Sequence, residues 1–248
     1  MFCFLRKKFI NPDLLIEYMD KKLPKPTTGD KFHTGIKAGL SAVPSVGCVA
    51  AELFNSLFKS PLEKRRDKWL EELSEELIKL QDEVKDLSWE KLSKNELFIS
   101  TVMQASQIAM RNHQKEKKLA LLNAIKNTAI GKTPEENIQM MFLNYIDTLT
   151  PWHLKILKYL QNPKEWGIQN KITYPNWPMG GPATVLEFAF PDLKDKREVY
   201  TKLIRDLENY GLVGKDVSSR MHTTVTADGM FQGMTTTFGN QFIKFISS

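Results

Sequence analysis

A mainly α-helical protein, with one small β-hairpin near its C-terminus, is the fold class that this sequence predicts. Three observations carry the prediction. Before residue 150, apolar residues recur every three or four positions in one segment after another, and nothing there alternates as a strand would. Several of these segments open on helix-start signals, a Ser or Thr followed three residues later by an acid. The β-rich runs 221–226 and 234–237 flank a turn containing Asp228, Gly229 and Gly233, the arrangement of a hairpin.

With 248 residues, 42% of them hydrophobic, the chain can bury a sizeable core and has room for one large or two small domains. Its two cysteines, Cys3 and Cys48, make neither a disulfide framework nor a zinc spacing, which fits a reducing, cytoplasmic setting. The N-terminal Met-Phe-Cys-Phe-Leu-Arg-Lys-Lys has its charges after a very short apolar run, so no secretory signal is read there. A net charge of +6 permits binding to nucleic acid or anionic lipid without demanding it. Residues 1–149 hold 23 basic against 20 acidic side chains and residues 150–248 hold 12 against 9, so the surplus is spread over both halves.

Taken in order, Asn11-Pro-Asp-Leu-Leu-Ile-Glu reads as a short helix opened by proline, and 23–30 as a linker rich in proline and threonine. The stretch 34–58 is the most apolar of the chain. Its small residues, with Gly39, Pro44 and Gly47 interrupting it and Leu53 and Phe54 near its end, suit a bent helix or two short ones in a bundle. The competing reading is a segment that leaves the bundle and inserts in a membrane. Its uncharged part is shorter than the roughly 20 residues that a membrane crossing needs, which favours the bundle.

Ser60-Pro61 with Glu63 is expected to open a new helix, whose apolar face is Trp69, Leu70, Leu73, Leu77, Leu80 and Val84. The pairs Glu71-Glu72 and Glu75-Glu76 fall on its solvated side. Ser93 and Glu96 frame a second start, and Arg111 to Lys118 is a polar run that leaves one long helix or two open. Thr133-Pro-Glu-Glu136 gives a third start, before Ile138, Met141, Phe142 and Ile146. Residues 1–149 are therefore expected to be a helical bundle, and 150–248 a second part of mixed α and β structure.

That second part opens with a helix capped by Thr150 and Pro151. A loop with Trp166, Tyr174 and Trp177 follows, then a short apolar segment at 183–190 and an amphipathic helix at 195–210 ended by Gly211. The hairpin and a closing helix at 239–246 complete it. The order of these elements, the turn Leu207-Glu-Asn-Tyr-Gly-Leu-Val213 and the tail Thr236-Thr-Phe-Gly-Asn-Gln-Phe242 resemble the winged helix-turn-helix module over about residues 150–248. The resemblance implies that the helix at 195–210 is the recognition helix, with Lys196, Arg197, Lys202 and Arg205 meeting groove or phosphate. It implies that Arg220 and His222 are wing contacts. Against a simple DNA reader stand the long aromatic loop and the acids Asp195, Glu198, Asp206 and Glu208 in the same helix, which repel phosphate. Such modules also dock proteins.

Catalytic and metal chemistry find little support. Gly131-Lys-Thr133 lacks the earlier glycine of a phosphate-binding loop, since Lys126 stands there. His33, His113, His153 and His222 have no partner at metal-ligand spacing. The expectation is a non-enzymatic cytoplasmic protein without cofactor. Its second part binds DNA or a protein and its bundle mediates assembly into a homo-oligomer. The alternative is a membrane-active effector, of the kind used in bacterial defence, that releases segment 34–58.

Overall fold

Helices dominate the computed structural model, which describes residues 47–84 and 87–247. The expected helix at 11–19, the linker at 23–30, and Gly39 and Pro44 lie outside the described residues. Two units are distinguished, Met1–Lys64 and Arg65–Ser248. Of the first, the description covers the backbone of α1 (Gly47–Glu83) from Gly47, with Leu53 and Phe54 on this helical stretch. Ser60 and Pro61 lie inside α1, so they do not open a new helix. Proline removes one main-chain hydrogen bond from a helix, but it does not end one whose turns continue on both sides.

In the second unit, α1 buries Trp69, Leu73, Leu77 and Leu80, the face expected from their spacing. Trp69 also donates its Nε1–H to Ser106 Oγ at 2.9 Å, so the largest side chain of this face brings no unpaired polar group into the core. Glu76 is not plain solvated surface: it accepts from Lys126 at 2.9 Å on a neighbouring helix as well as from Lys79. The short α2 (Trp89–Leu92) ends at Ser93, and Asn95, not Ser93, caps α3 (Glu96–Arg111) by accepting from the Phe98 N–H at 3.1 Å. Arg111 closes α3 and a separate helix, α4 (Lys115–Ala129), follows. The next, α5 (Glu136–Thr148), starts two residues later than the Thr133-Pro signal suggests, with Glu135 as its cap.

Three further helices are α6 (Pro151–Gln161), α7 (Pro163–Gln169) and α8 (Pro182–Ala189). The aromatic loop thus holds a helix of its own. Tyr174 lies against Gly167, where a β-carbon would overlap the ring, and Trp166, Tyr174 and Trp177 all pack on the core. The loop covers its own domain, as long loops often do. A 3₁₀ turn (Pro191–Leu193) leads to α9 (Arg197–Asn209). Gly211, at φ +69°, ends α9 with the Leu212 N–H bonded to the Leu207 carbonyl at 2.9 Å, the left-handed stop that glycine favours.

The expected hairpin does not form. Arg220 ends a short helix, α10 (Val217–Arg220), and Met221 is buried beside it. The strand β2 (Val225–Thr226) pairs antiparallel with β1 (Met179–Gly180) from the aromatic loop, not with 234–237. Asp228 and Gly229 lie in α11 (Ala227–Met230), and Thr235 makes a single bridge to Val213. The physical reason is burial: Met221, Met230 and Met234 all enter the core, which a flat two-stranded ribbon with one solvated face would not allow.

The closing helix is α12 (Thr237–Phe245). Thr236 donates its hydroxyl to the Gly211 carbonyl at 2.6 Å and accepts the Gly239 N–H at 2.9 Å. Gly239 sits so close to the chain after α9 that a β-carbon would collide with the Leu212 carbonyl oxygen. Only glycine permits that approach. The same helix brings Phe238, Phe242 and Phe245 around Phe142 of α5, with ring centroids 5.0 to 5.7 Å apart. Residues on both sides of position 149 therefore share one core.

Candidate nucleic-acid interface

Helix α9 buries Tyr200, Ile204 and Leu207, a stripe four and three residues apart. Its other side carries the cations expected there. Arg197, Lys202 and Arg205 are exposed along α9, Lys196 is exposed as its N-cap, and Arg220 is exposed at the end of α10. At 3.6 residues per turn, Arg205 and Lys202 project within roughly 60° of one another, while Arg197 lies toward one flank, about 20° from Glu208.

The acids of α9 divide into two kinds. Asp206 is held inward: it takes Lys202 at 2.5 Å and the His153 Nε2 at 3.4 Å. Burial alone would raise the pKa of this carboxyl, but the hydrogen bonds from Lys202 and His153 outweigh it and hold it below the usual range. Glu208 accepts both the backbone N–H of Ser218 at 2.6 Å and its hydroxyl at 3.1 Å, fastening α10 to α9. These two carboxylates are engaged within the fold. Asp195 and Glu198 remain exposed.

His153 is the inner end of this arrangement. It is 7% exposed, and its Nδ1 accepts the Thr150 N–H at 3.0 Å, which assigns the remaining ring proton to Nε2 and makes it the donor to Asp206. Burial lowers its pKa, and the Asp206 hydrogen bond opposes this only in part. Thr150 and His153 thus cap α6 reciprocally, with histidine in the place where glutamate is usual.

His222 is placed differently from the five cations. It is half-buried and stacked on Tyr200 at 5.8 Å, and its Nε2 finds no hydrogen-bond partner among the described residues. Burial and the nearby Arg197 charge lower its pKa. Tyr200 donates to Glu187 Oε1 at 2.8 Å, and its burial with this hydrogen bond raises its own pKa. The ring of His222 therefore belongs to the packing between α8 and α9, with Arg197 as the cation near it.

Two further cations escaped the sequence reading. Lys194 precedes α9 and Lys215 follows the Val213 bridge, and both are exposed. A count of basic residues over 190–220 would have found them. Six cations, Lys194, Lys196, Arg197, Arg205, Lys215 and Arg220, form no ion pair among the described residues, against the four exposed acids Asp192, Asp195, Glu198 and Asp216. Over residues 190–220 seven basic side chains stand against six acidic ones, a balance of +1 that is unchanged by the Lys202–Asp206 pair, since the donors to Glu208 are uncharged and leave its charge in place.

Among the described residues no group of three His, Cys, Asp or Glu side chains is placed to hold a metal ion, and no helix is long and apolar enough to cross a membrane. No family model, curated protein or solved structure matches this chain.

Proposed function

We propose that the chain is a non-enzymatic DNA-binding protein whose residues 150–248 act as a winged-helix-like module. One observation carries the reading: α9 presents cations outward while Asp206 and Glu208 are consumed by internal hydrogen bonds. Of the four acids that argue against phosphate contact in the bare sequence, Asp206 is thereby answered by Lys202 and the Glu208 oxygens are turned toward Ser218. The order α6, α8, α9, then the Val213 to Thr235 bridge and α12, supports the module, with residues 214–234 standing where a simple wing would be.

In this mechanism Lys196 and Arg197 meet phosphate at the N-terminus of α9, where free backbone N–H groups favour anions. Arg205 lies about 12 Å further along the helix, eight residues at 1.5 Å each, a span suited to a second phosphate contact. Arg220 supplies a contact from the wing position. Lys202 is held by Asp206 and acts as a positioning residue. Binding is driven by counterion release, so its logarithm falls with the logarithm of salt at a slope of about −0.9 per neutralised phosphate.

The test is fluorescence anisotropy of a labelled generic duplex over a salt series. Four contacts give an expected slope of about −3.6. Replacing Arg197 and Arg205 together by glutamate is expected to abolish retention while the circular dichroism spectrum is unchanged. Equal retention by that variant removes α9 from the interface. No binding of the wild type at low salt redirects the module to a protein partner.

A further inference from the structure

Helices α4, α6 and α7, with Ile246 just after α12, line a recess of about 100 Å³ to which α9 contributes no residue. Its walls are mostly apolar: Leu119, Ala120, Leu154, Trp166 and Ile246. Three charged residues line it as well, Glu116, Lys155 and Lys158. Two of them answer each other, since Lys155 pairs with Glu116 at 3.1 Å. Lys158 is left over. It is half-buried and makes no ion pair or side-chain hydrogen bond among the described residues.

Lys117 of α4 is the contrast. Burial lowers the pKa of both lysines, but Lys117 donates to the Asp147 carbonyl at 2.6 Å and feels the Asp147 charge, which opposes the shift. For Lys158 burial acts alone. An ammonium in apolar surroundings without a counter-charge is costly, whereas the free amine costs far less. Lys158 therefore keeps a larger share of free amine at a given pH than an exposed lysine does. The nitrogen is also reachable: Nζ keeps contact with solvent, where the unbonded Trp166 Nε1 and Tyr159 hydroxyl have none.

A lysine amine in an apolar recess is a nucleophile, and the recess selects the electrophile. Its volume has room for roughly three groups of water size, enough for an acyl group of about two to four carbons and too little for a nucleotide or a sugar ring. An anionic reagent would meet the Glu116 carboxylate in the same lining. An uncharged one meets apolar walls and the amine.

We propose that Lys158 is a modification site for a short aliphatic acyl group delivered by an uncharged thioester. The Nζ lone pair attacks the thioester carbonyl carbon, a carbon–nitrogen bond forms, and the carbon–sulfur bond breaks. The sulfur leaves as a thiol with the proton that the nitrogen gives up. The amide product carries no charge, so it ends the cost of the half-buried ammonium, and its alkyl end lies against the apolar walls. The site is independent of the DNA-binding face.

Full-length protein is treated with limiting S-acetyl-N-acetylcysteamine, and acetylation of each lysine is followed by peptide mass spectrometry from about pH 6.5 to 9.5, a range chosen to span lowered and ordinary lysine pKa values. Exposed Lys132 and Lys171, which have no ion pair among the described residues, are the internal references. An about tenfold gain in free amine, half of it offset on a logarithmic scale by the weaker nucleophilicity of a less basic atom, makes Lys158 at least about threefold faster than either reference at neutral pH. Its rate is expected to level off at a lower pH than theirs. Leu119→Glu, at a 58% exposed position of the lining, adds a carboxylate that holds the ammonium, and is expected to slow Lys158 at least about threefold with Lys132 unchanged and folding checked by circular dichroism. Acetylation of Lys158 no faster than that of Lys132, a rate that climbs in parallel with the references over the whole pH range, or full Lys158 reactivity in folded Leu119→Glu overturns the proposal.

Discussion

Helices α4 and α9 are similar in length and opposite in plan. Helix α9 turns Tyr200, Ile204 and Leu207 inward and its cations outward, as an amphipathic pattern dictates. Helix α4 buries Lys117, Asn123, Asn127 and Thr128 alongside its apolar residues, and leaves Leu119 58% exposed. The difference lies in what each buried group touches. Lys117 donates to the Asp147 carbonyl at 2.6 Å and so caps the end of α5, while Asn123 and Asn127 bond the carbonyls at and just after the end of α12. A polar side chain belongs inside when it meets backbone groups that have no other partner, and helix C-termini supply such groups. The buried stripe of α9 carries no polar group but the Tyr200 hydroxyl, so side-chain hydrophobicity decides its orientation.

If that explanation is right, Asn127 contributes more than its polarity suggests. Its Nδ2 donates to the carbonyls of Phe245 at 2.9 Å, Ser247 at 2.8 Å and Lys244 at 3.2 Å. Replacing it with alanine leaves buried acceptors unmet and opens a small void, an expected loss of about 2–3 kcal/mol in urea unfolding. Replacing exposed Asn209 of α9 in the same way is expected to change stability by less than about 0.5 kcal/mol. Similar losses for both would mean that the clamp of α4 on the C-terminus contributes nothing, and the contrast between the helices would fail.

Among the polar links that α9 makes within the fold, pH measures the one from Asp206 to His153. The folded protein holds His153 at a pKa below the ordinary histidine value of 6.5, chiefly through burial. The unfolded chain therefore takes up the proton first as pH falls. Stability is full above about 6.5, declines as pH drops below that value, and levels off once the folded-state pKa is passed. His222, also lowered by burial, acts with the same sign. Urea midpoints between pH 5 and 8 are expected to fall on the acid side, and His153→Gln is expected to flatten part of that slope. Protonation would also place a hydrogen on Nδ1, where the Thr150 N–H is now accepted, so loss of the α6 cap accompanies the decline. A midpoint that rises on acidification would instead mean that the attraction of Asp206 for a charged His153 outweighs burial.

How much of this was legible in the sequence follows the same division. The α1 face, the Gly211 stop and the tail with Thr236, Gly239 and Phe242 were readable, because spacing and glycine chemistry are local. The exposed cations of α9 were readable as candidates for the same reason. What was not legible depended on distant partners. The threonine-rich runs looked like a hairpin until the need to bury Met221, Met230 and Met234 placed 225–226 against 179–180. Asp206 and Glu208 looked repulsive to phosphate until His153 and Ser218 absorbed them from elsewhere in the chain.

The smallest expected effect probes the outward side of α4. Leu119→Ser removes an apolar side chain from a helix, a change that in a core would cost several kcal/mol. At 58% exposure little apolar area is lost from the folded state, so the expected change in urea unfolding is within about 0.5 kcal/mol. Leu121, fully buried two residues on, is the internal control and is expected to cost about 3 kcal/mol or more when changed to serine. A loss above about 1 kcal/mol at Leu119 would mean that the residue is covered in solution, and concentration dependence of the unfolding midpoint would then identify a second copy of the chain as the cover. A loss near zero leaves Leu119 as solvent-facing apolar surface, so that α4 carries its polar residues inward and a leucine outward at no cost to folding.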